Sequence, residues 1–199
     1  MGIRREFLVY TRVVLIGLML AAFCSAASAQ SFLGLRAPEV NVFAGYSLLR
    51  YDSVPLGFAD RQNLSGANIE ISLPDIYKNL GIVADGSAHY SSQMENFNLM
   101  FGPQYRYEVK GMWIFGHGLW GRTRTRLKEL GASQLEPSTL GYGVAFGGGL
   151  DIPLKDRFSI RPIQADYIIA SQFGERRKNM RYSAGIVIRF GKVHKAPSF

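Results

Sequence analysis

The sequence predicts an all-β protein, an eight-stranded antiparallel up-and-down transmembrane β-barrel. Bulky apolar residues alternate with small or polar residues along many segments, and period two is typical of strands with one apolar face. The composition, with 13% aromatic residues and 22 glycines against 19% charged residues, suits strands and turns. The links between the segments differ in length in the way that outer-membrane barrels show.

The first 29 residues have the pattern of a secretory signal peptide. Arginines precede an apolar run from Val13 to Phe23, and Ala27-Ser28-Ala29 provides the small residues of a cleavage site before Gln30. The run is too short for a membrane-spanning helix, which needs about 20 residues. We therefore expect a signal peptide at 1–29 and an outer-membrane β-barrel domain at 30–199.

The charge of the exported chain excludes some functions. Removal of three arginines and Glu6 from 23 basic and 15 acidic residues leaves 20 basic and 14 acidic residues, a net charge of +6. A basic chain is a candidate for nucleic-acid binding, but export argues against that partner. Cys24 is removed with the signal peptide, so the exported chain has no disulfide and no thiol nucleophile.

Eight segments have strand character and are separated by turn or loop residues. In chain order they cover residues 40–51, 64–73, 80–91, 96–109, 111–122, 139–152, 157–170 and 180–190. The links after the second, fourth and sixth segments are short. The links after the first, fifth and seventh segments are longer, while the link after the third is a short SSQME region. This arrangement predicts an antiparallel meander with the longer loops mostly at one end.

The first four segments show the alternation in different ways. The first two read VNVFAGYSLLRY and LSGANIEISL. The third places Asp85, Ser87 and His89 on one face, opposite mainly apolar residues. The fourth contains NFNLMFGPQYRYE at 96–108, where apolar or aromatic residues alternate with small or polar ones and Met100 is the exception.

The later segments indicate which face points inward. The fifth reads GMWIFGHGLWGR, and the sixth carries large apolar residues on one face and a row of glycines with Ala145 on the other. Such a row is an improbable aqueous surface, but it suits the narrow lumen of an eight-stranded barrel, which side chains fill. The eighth agrees, since Arg181 and Arg189 lie opposite Ile186 and Ile188. The apolar faces are therefore expected to point outward into lipid.

The seventh segment conflicts with this rule. Arg161 falls on the same face as Ile163 and Tyr167, and an arginine that faces lipid at mid-depth costs about 2 to 4 kcal/mol. Pro162 has no N–H for the strand ladder, so we expect a bulge there that resets the register.

Six stretches carry a resemblance to the small OmpA-like outer-membrane β-barrels, also called porin-like or surface-antigen barrels. They are VFAGYSLLR at 42–50, GIVADGSAHY at 81–90, FNLMFGPQYRY at 97–107, AFGGGLDI at 145–152, IRPIQADY at 160–167 and RYSAGIVIRFG at 181–191. The resemblance covers nearly all of the exported chain. It implies a protein of the outer membrane in the Gram-negative cell envelope.

The last strand resembles the signal by which the barrel-assembly machinery recognises its clients. Ser183, Gly185, Ile188 and Phe190 have the expected polar, glycine, apolar and aromatic spacing. The resemblance implies that this machinery is a partner during biogenesis. The chain departs from the pattern by continuing to a second aromatic, Phe199.

Ionisable and polar residues of the strands are expected to form a network inside the barrel. They are Glu70, Asp85, His89, Arg106, Glu108, His117, Gln164, Asp166 and Arg189. Charges of both signs neutralise each other in such a plug, and eight strands leave no aqueous channel. A proton or ion path is the alternative. Neither His89 nor His117, the two histidines within strands, has further ligands at metal-binding spacing, so no metal and no other cofactor is expected.

His89 and Ser91 lie on one side of a strand and are candidates for a catalytic pair. They resemble the His-x-Ser pair of outer-membrane lipid A deacylases, which are also eight-stranded barrels. A lipid hydrolase needs this pair to face the bilayer, whereas these residues share the inward face. Acyl transfer also needs an orienting group and an oxyanion site. We expect a protein that is not an enzyme.

Two basic clusters are candidates for binding an anionic surface. Arg122, Arg124, Arg126 and Lys128 project to one side if the fifth strand extends above the membrane, and Arg176, Arg177 and Lys178 lie in the last long link. They are either solvated loop charges or ligands for phosphates of lipopolysaccharide, with which arginine forms strong charge-assisted hydrogen bonds.

The sequence thus predicts an exported outer-membrane barrel with a structural, surface-binding or minor permeability role. Its expected partners are outer-membrane lipid and lipopolysaccharide. Two alternatives stay open: a lipid A hydrolase on the same barrel, and a soluble lipocalin-like protein that binds an apolar ligand inside.

Overall fold

The computed structural model of the protein describes residues 39–56, 59–128 and 138–191. The predicted signal peptide at 1–29, its cleavage site and Phe199 lie outside the described residues. Within these ranges eight antiparallel strands form a closed barrel in chain order, which confirms the predicted fold class.

The strands are long compared with an average strand of five or six residues. Their bounds are β1 Val40–Tyr51, β2 Gln62–Tyr77, β3 Leu80–Tyr90, β4 Met94–Val109, β5 Met112–Leu127, β6 Ser138–Lys155, β7 Phe158–Gln172 and β8 Glu175–Phe190. One 3₁₀ turn, Val54–Leu56, follows β1. Among the described residues no helix has the length and apolar character needed to cross a membrane.

The barrel closes where β1 pairs with β8, from Val40 opposite Phe190 to Arg50 opposite Met180. We call the end that holds Val40 and Phe190 the near end and the opposite one the far end. Three two-residue turns close hairpins at the near end, and that of β2 and β3 has positive φ at both Lys78 (44°) and Asn79 (68°). Such turns match the right-handed twist of the paired strands.

Three strands extend further than the sequence predicts. β2 continues through Pro74 to Tyr77, with a register shift between Leu73 and Tyr77. β5 reaches Leu127. The predicted link SQFGERRKN is strand except for a tight turn at Phe173 and Gly174, where φ is 50° and 77°. The added segments of β5 and β8 carry polar side chains on both faces, and that of β2 contains Pro74, so none of them has the alternation that identifies a strand.

The two faces of the barrel have opposite chemistry. Bulky apolar side chains are exposed on the outside, for example Leu99 (68%), Phe146 (60%) and Ile186 (55%). Inside, Asp85 and His89 are fully buried. An apolar exterior around a charged interior is the reverse of a soluble protein and is the arrangement that lipid requires.

The bulge expected at Pro162 is confirmed. Arg161 pairs with Gly185 and Gln164 pairs with Ser183, so β7 has an extra residue at this position relative to β8. Ile163 is 54% exposed, while Arg161 and Gln164 are both buried in the interior. One added residue therefore turns Arg161 into the interior while Ile163 stays outside.

The glycine row of β6 leaves room for interior side chains. A Cβ atom on Gly147 would collide with Asp166 Oδ1 and with the carbonyl of Ala165. A Cβ atom on Gly149 would lie 2.8 Å from the ring of Phe115. These positions need glycine because a charged carboxylate and an aromatic ring occupy the space in front of the strand.

Candidate functional site

Arg161 occupies the centre of the interior. Its Nε and Nη2 donate to Asp151 Oδ1 (2.6 Å) and Oδ2 (3.1 Å), and Nη1 donates to Glu70 Oε1 (3.2 Å). The guanidinium carbon lies 4.4 Å from the ring centre of Phe43 and 4.1 Å from that of Phe115. Arginine suits this position because its planar group pairs with a carboxylate in a fork and stacks between aromatic rings.

Arg181 forms a second centre towards the far end. Its two terminal nitrogens donate to both oxygens of Asp85 at 2.7 and 2.8 Å, and Nε donates to Asp166 Oδ2 at 2.9 Å. Ser87 accepts a further bond from Nη1 at 3.0 Å. One arginine thus pairs with both carboxylates.

Gln164 joins the two centres. Its Oε1 accepts from Arg161 Nη1 at 2.7 Å, and its Nε2 donates to Asp166 Oδ2 at 3.1 Å. His117 contributes from β5, with Nε2 lying 2.8 Å from Asp166 Oδ1. The result is one connected polar network across β2, β3, β5, β6, β7 and β8.

Most residues predicted for the interior lie there. The structure buries Glu70, Asp85, His89, Arg106, His117, Gln164, Asp166 and Arg189. Glu108 is exposed, contrary to prediction, because it lies next to the Lys110-Gly111 turn where β4 ends. The sequence missed Asp151 and Arg161 as network residues. One sequence feature could have identified Arg161 as an interior residue, namely that it breaks the alternation of β7 next to Pro162.

The near end of the interior has an excess of positive charge. Arg106 donates to Glu39 at 3.0 Å and stacks on Trp113 at 4.0 Å from the ring centre, and Arg189 donates to Ser159 Oγ at 2.7 Å. The side chains of both arginines are 3% exposed. Glu39 is the carboxylate that forms an ion pair with Arg106 among the described residues.

The far end of the interior contains an apolar cluster and a buried cation. The cluster includes Leu49, Leu64, Met94 and Leu127. Arg177, predicted as a surface cation, is 1% exposed and faces inward. The prediction was wrong because it assigned Arg177 to a loop, whereas β8 already alternates its side chains at this position.

The candidate catalytic pair of His89 and Ser91 is not formed. His89 Nε2 lies 2.9 Å from Ser47 Oγ, and Ser47 Oγ accepts from Ser183 Oγ at 2.9 Å. Ser91 Oγ instead donates to the carbonyl of Met94 in the turn between β3 and β4. His89 Nδ1 has no hydrogen-bond partner among the described residues, so no third group orients this imidazole as hydrolytic triads require.

The predicted assembly residues lie on the strand that closes the barrel. Ser183 is buried and faces inward, while Phe190 is 49% exposed at the near end. A Cβ atom on Gly185 would collide with the backbone of β1 at Ala44. Ile188 pairs with Val42 of β1 and Phe158 of β7.

A set of cations lies on the outward face at the far end, and we call it the basic arc. It consists of Arg122, Arg124 and Arg126 on β5, Lys128 directly after that strand, and Arg176 and Lys178 on β8. The β5 part follows the predicted alternation because the strand extends to Leu127.

The members of the basic arc differ in their partners. Lys128 forms an ion pair with Glu95 at 3.2 Å, and Arg122 Nη2 donates to Tyr142 Oη at 3.2 Å while stacking on its ring. The side chains of Arg176 and Lys178 form no hydrogen bond or ion pair with any residue in the described ranges. Their charges remain available to a ligand.

Aromatic side chains lie next to the basic arc, between the arc and the middle of the barrel. Trp120 precedes Arg122 on the same face of β5 and packs edge-on against Phe101, with ring centres 5.3 Å apart. Tyr90 and Phe97 form a similar edge-on pair at 5.6 Å. Aromatic rings followed by cations are the order found at a membrane interface.

The described residues contain no group of His, Cys, Asp and Glu side chains arranged to hold a metal ion.

Two solved structures share the architecture of this chain. Neisserial surface protein A (NspA) is 12% identical, with a TM-score of 0.57 over 76% of this chain and 96% of NspA. Ail, the attachment invasion locus protein of Yersinia pestis, is 16% identical in its complex with the heparin analogue sucrose octasulfate, with a TM-score of 0.54 over 77% of this chain and 99% of Ail. No protein-family model and no curated protein matches the sequence. The chain therefore has the fold of NspA and Ail, the second of which is an outer-membrane protein.

Proposed function

We propose that this protein is a bacterial outer-membrane surface barrel whose basic arc binds the phosphate groups of lipopolysaccharide in the outer leaflet. The observation that carries the proposal is the position of the arc. Its cations project outward from β5 and β8 just beyond the aromatic side chains, at the level where the lipid headgroups of a membrane lie.

The orientation follows from the connections. Outer-membrane barrels have short turns on the periplasmic side, where both chain ends lie. The near end holds Val40 and Phe190, and each of its three links is a two-residue turn, whereas the far end also has the two longest links, at 52–61 and 128–137. The far end then faces outward from the cell, and the basic arc contacts the outer leaflet.

The chemistry of the arc suits phosphate. Arginine and lysine close to an anionic membrane surface contribute about 1 kcal/mol each, and arginine adds forked hydrogen bonds to phosphate oxygens. Ail, which shares the fold, has been solved with a sulfated sugar. That complex supports recognition of dense anions by a barrel of this kind.

Charge reversal in the arc tests this function. In the double variant Arg124→Glu and Arg126→Glu we expect lipid A to bind the folded barrel in detergent micelles with at least 2 kcal/mol less free energy, about 30-fold weaker. Thermophoresis with labelled protein measures the affinity. The matched control is Lys110→Glu with Arg157→Glu, which reverses two charges at the near end. Equal affinities for both double variants would refute the proposal.

We propose that the protein is not an enzyme. The imidazole of His89 is bonded to Ser47 in the interior, away from the lipid-facing surface. Incubation of the purified barrel with lipid A should release no fatty acid. Release that disappears in Ser91→Ala or in Ser47→Ala would establish a hydrolase and identify its serine.

A further inference from the structure

A groove of about 370 Å³ crosses the outside of the barrel at the basic arc. Trp120 and Tyr142 line one side, Val144 and Ile169 lie between them and β8, and Arg176 lines the other side. The groove opens on the surface that the proposed function places in the membrane.

The strand register explains why a groove forms. Val144 of β6 pairs with Trp120 of β5 on one side and with Ile169 of β7 on the other. Ile169 in turn pairs with Lys178 of β8. The smaller side chain of Val144 therefore lies between the large ring of Trp120 and the side chain of Ile169. Lys178 is the last residue of this row of paired residues.

The floor of the groove continues towards the middle of the barrel as an apolar strip. The next outward residue of β6 is Phe146, which pairs with Tyr167 of β7. Their side chains are 60% and 37% exposed. A hydrocarbon chain that starts over Val144 and Ile169 thus remains on apolar surface as it descends.

The upper edge of the groove carries cations on both sides. Arg122 is held against the ring of Tyr142 by a hydrogen bond and by stacking at 4.7 Å. Arg176 pairs with Ser171 across β7 and β8. Arg176 and Lys178 have no ionic partner within the described ranges, so this edge has uncompensated positive charge above an apolar floor.

We propose that the groove seats a single phosphorylated glycolipid of the outer leaflet, with one acyl chain on Val144 and Ile169 and a phosphate between Arg122 and the Arg176–Lys178 pair. This inference rests on the proposed function, but it requires one defined lipid position rather than a diffuse attraction along the arc. Free phosphate would not use the apolar floor, and an uncharged lipid would not use the cations.

The test compares two outward tryptophan substitutions. Val144→Trp fills the groove without changing a charge, and Ile82→Trp adds the same ring to a 52% exposed position on β3. Native mass spectrometry of the folded barrel measures how many lipid A molecules remain bound. We expect one molecule on the unchanged protein and on Ile82→Trp, and about tenfold less retention on Val144→Trp, because roughly two methylene groups lose their contact.

Changes to the ligand separate the contribution of its phosphates to binding from that of its acyl chains. Lipid A without phosphates should be retained about tenfold less, and Arg176→Gln with Lys178→Gln should abolish the preference for the phosphorylated form. Inorganic phosphate should not displace lipid A. Migration on unheated gels verifies that each variant is folded.

Three outcomes would overturn the groove proposal. They are equal retention of lipid A by Val144→Trp and Ile82→Trp, displacement by inorganic phosphate, or retention of several equivalent lipids. If one of these outcomes is found and Arg124→Glu with Arg126→Glu still weakens binding, the basic arc binds lipid A without a single defined position. If neither set of variants affects binding, the proposed function fails as well.

Discussion

Arg161 is stabilised by acceptors from several walls of the barrel at once. Asp151 binds it in a fork, Glu70 and Gln164 accept from its remaining terminal nitrogen, and two rings cover its faces. In an interior of low dielectric, such pairing is what makes a buried charge tolerable. The stability of the barrel therefore depends on this residue more than on any one surface contact.

Removal of the central arginine gives a residue-scale prediction. Arg161→Leu leaves Asp151 and Glu70 without their partner, so we expect the free energy of unfolding to fall by about 3 to 5 kcal/mol. Urea unfolding of the barrel in lipid vesicles measures it. Arg157→Leu, the same change at an exposed turn residue, should alter stability by less than about 0.5 kcal/mol. Equal effects of the two variants would contradict the role assigned to Arg161.

Single residues also mark the limits of the sequence argument. The alternation placed Asp85, His89 and Asp166 in the interior, and all three are buried. It failed at Glu108, which lies beside the turn that ends β4. It could not place Arg177, because the start of β8 has no apolar face to contrast with its polar one. The partner of each charge was not predictable, since it depends on which strands face each other across the lumen.

At the scale of elements, β6 is built around a shape constraint. Its inward glycines let Asp166 and Phe115 approach the backbone, and its outward face carries large side chains such as Phe146. The sequence revealed this strand because the contrast between its two faces is extreme. The same contrast is absent from the outer parts of β2, β5 and β8, which explains why their lengths were underestimated.

Two glycine substitutions test the constraint on β6. Gly147→Ala would force a methyl group into Asp166, so we expect a loss of about 1 to 3 kcal/mol in the free energy of unfolding. Gly86→Ala on β3 adds a methyl group whose nearest neighbour is the Ile69 carbonyl oxygen at 3.9 Å. It should be close to neutral. Urea denaturation compares the two, and equal midpoints would show that the interior at Gly147 is not tight.

Neighbouring residues of β8 test which face meets lipid. A spin label at Ile186, which is 55% exposed, should be accessible to dissolved oxygen and shielded from a water-soluble nickel reagent. A label at Val187, which is 1% exposed, should be inaccessible to oxygen from the lipid side. Electron paramagnetic resonance in vesicles gives both accessibilities. Contact of Ile186 with water would reverse the assignment of the faces.

At the scale of the whole barrel, the charged side chains of the described interior are arranged in layers. Arg106 and Arg189 lie at the near end, Arg161 and Arg181 with their carboxylates in the middle, and Arg177 at the far end above an apolar cluster. An ion that crossed the barrel would have to displace paired charges and enter apolar surroundings. The closed sheet and the direction of its faces were predictable from periodicity, whereas this layering required the fold.

The layered interior predicts that the barrel does not conduct. Planar-bilayer recordings should show a current indistinguishable from that of the protein-free membrane, because eight strands leave space only for side chains. Stable large openings would contradict the plug.

Location and closure can be measured together. We expect the protein in the outer-membrane fraction, and we expect unheated samples to migrate differently from boiled ones on a denaturing gel. A protein found in the periplasm with unchanged migration would be a soluble barrel instead.

The direct pairing of β1 with β8 imposes an order of events on biogenesis. β1 finds its second neighbour only when the last 16 residues of the barrel, Glu175–Phe190, are present. Until then an incomplete sheet exposes unsatisfied N–H and C=O groups along both of its margins, and hydrocarbon offers them nothing to bond with. In the proposed outer-membrane location, insertion must therefore follow completion of the last strand, and we expect a chain shortened by that strand to be degraded rather than to form a smaller barrel.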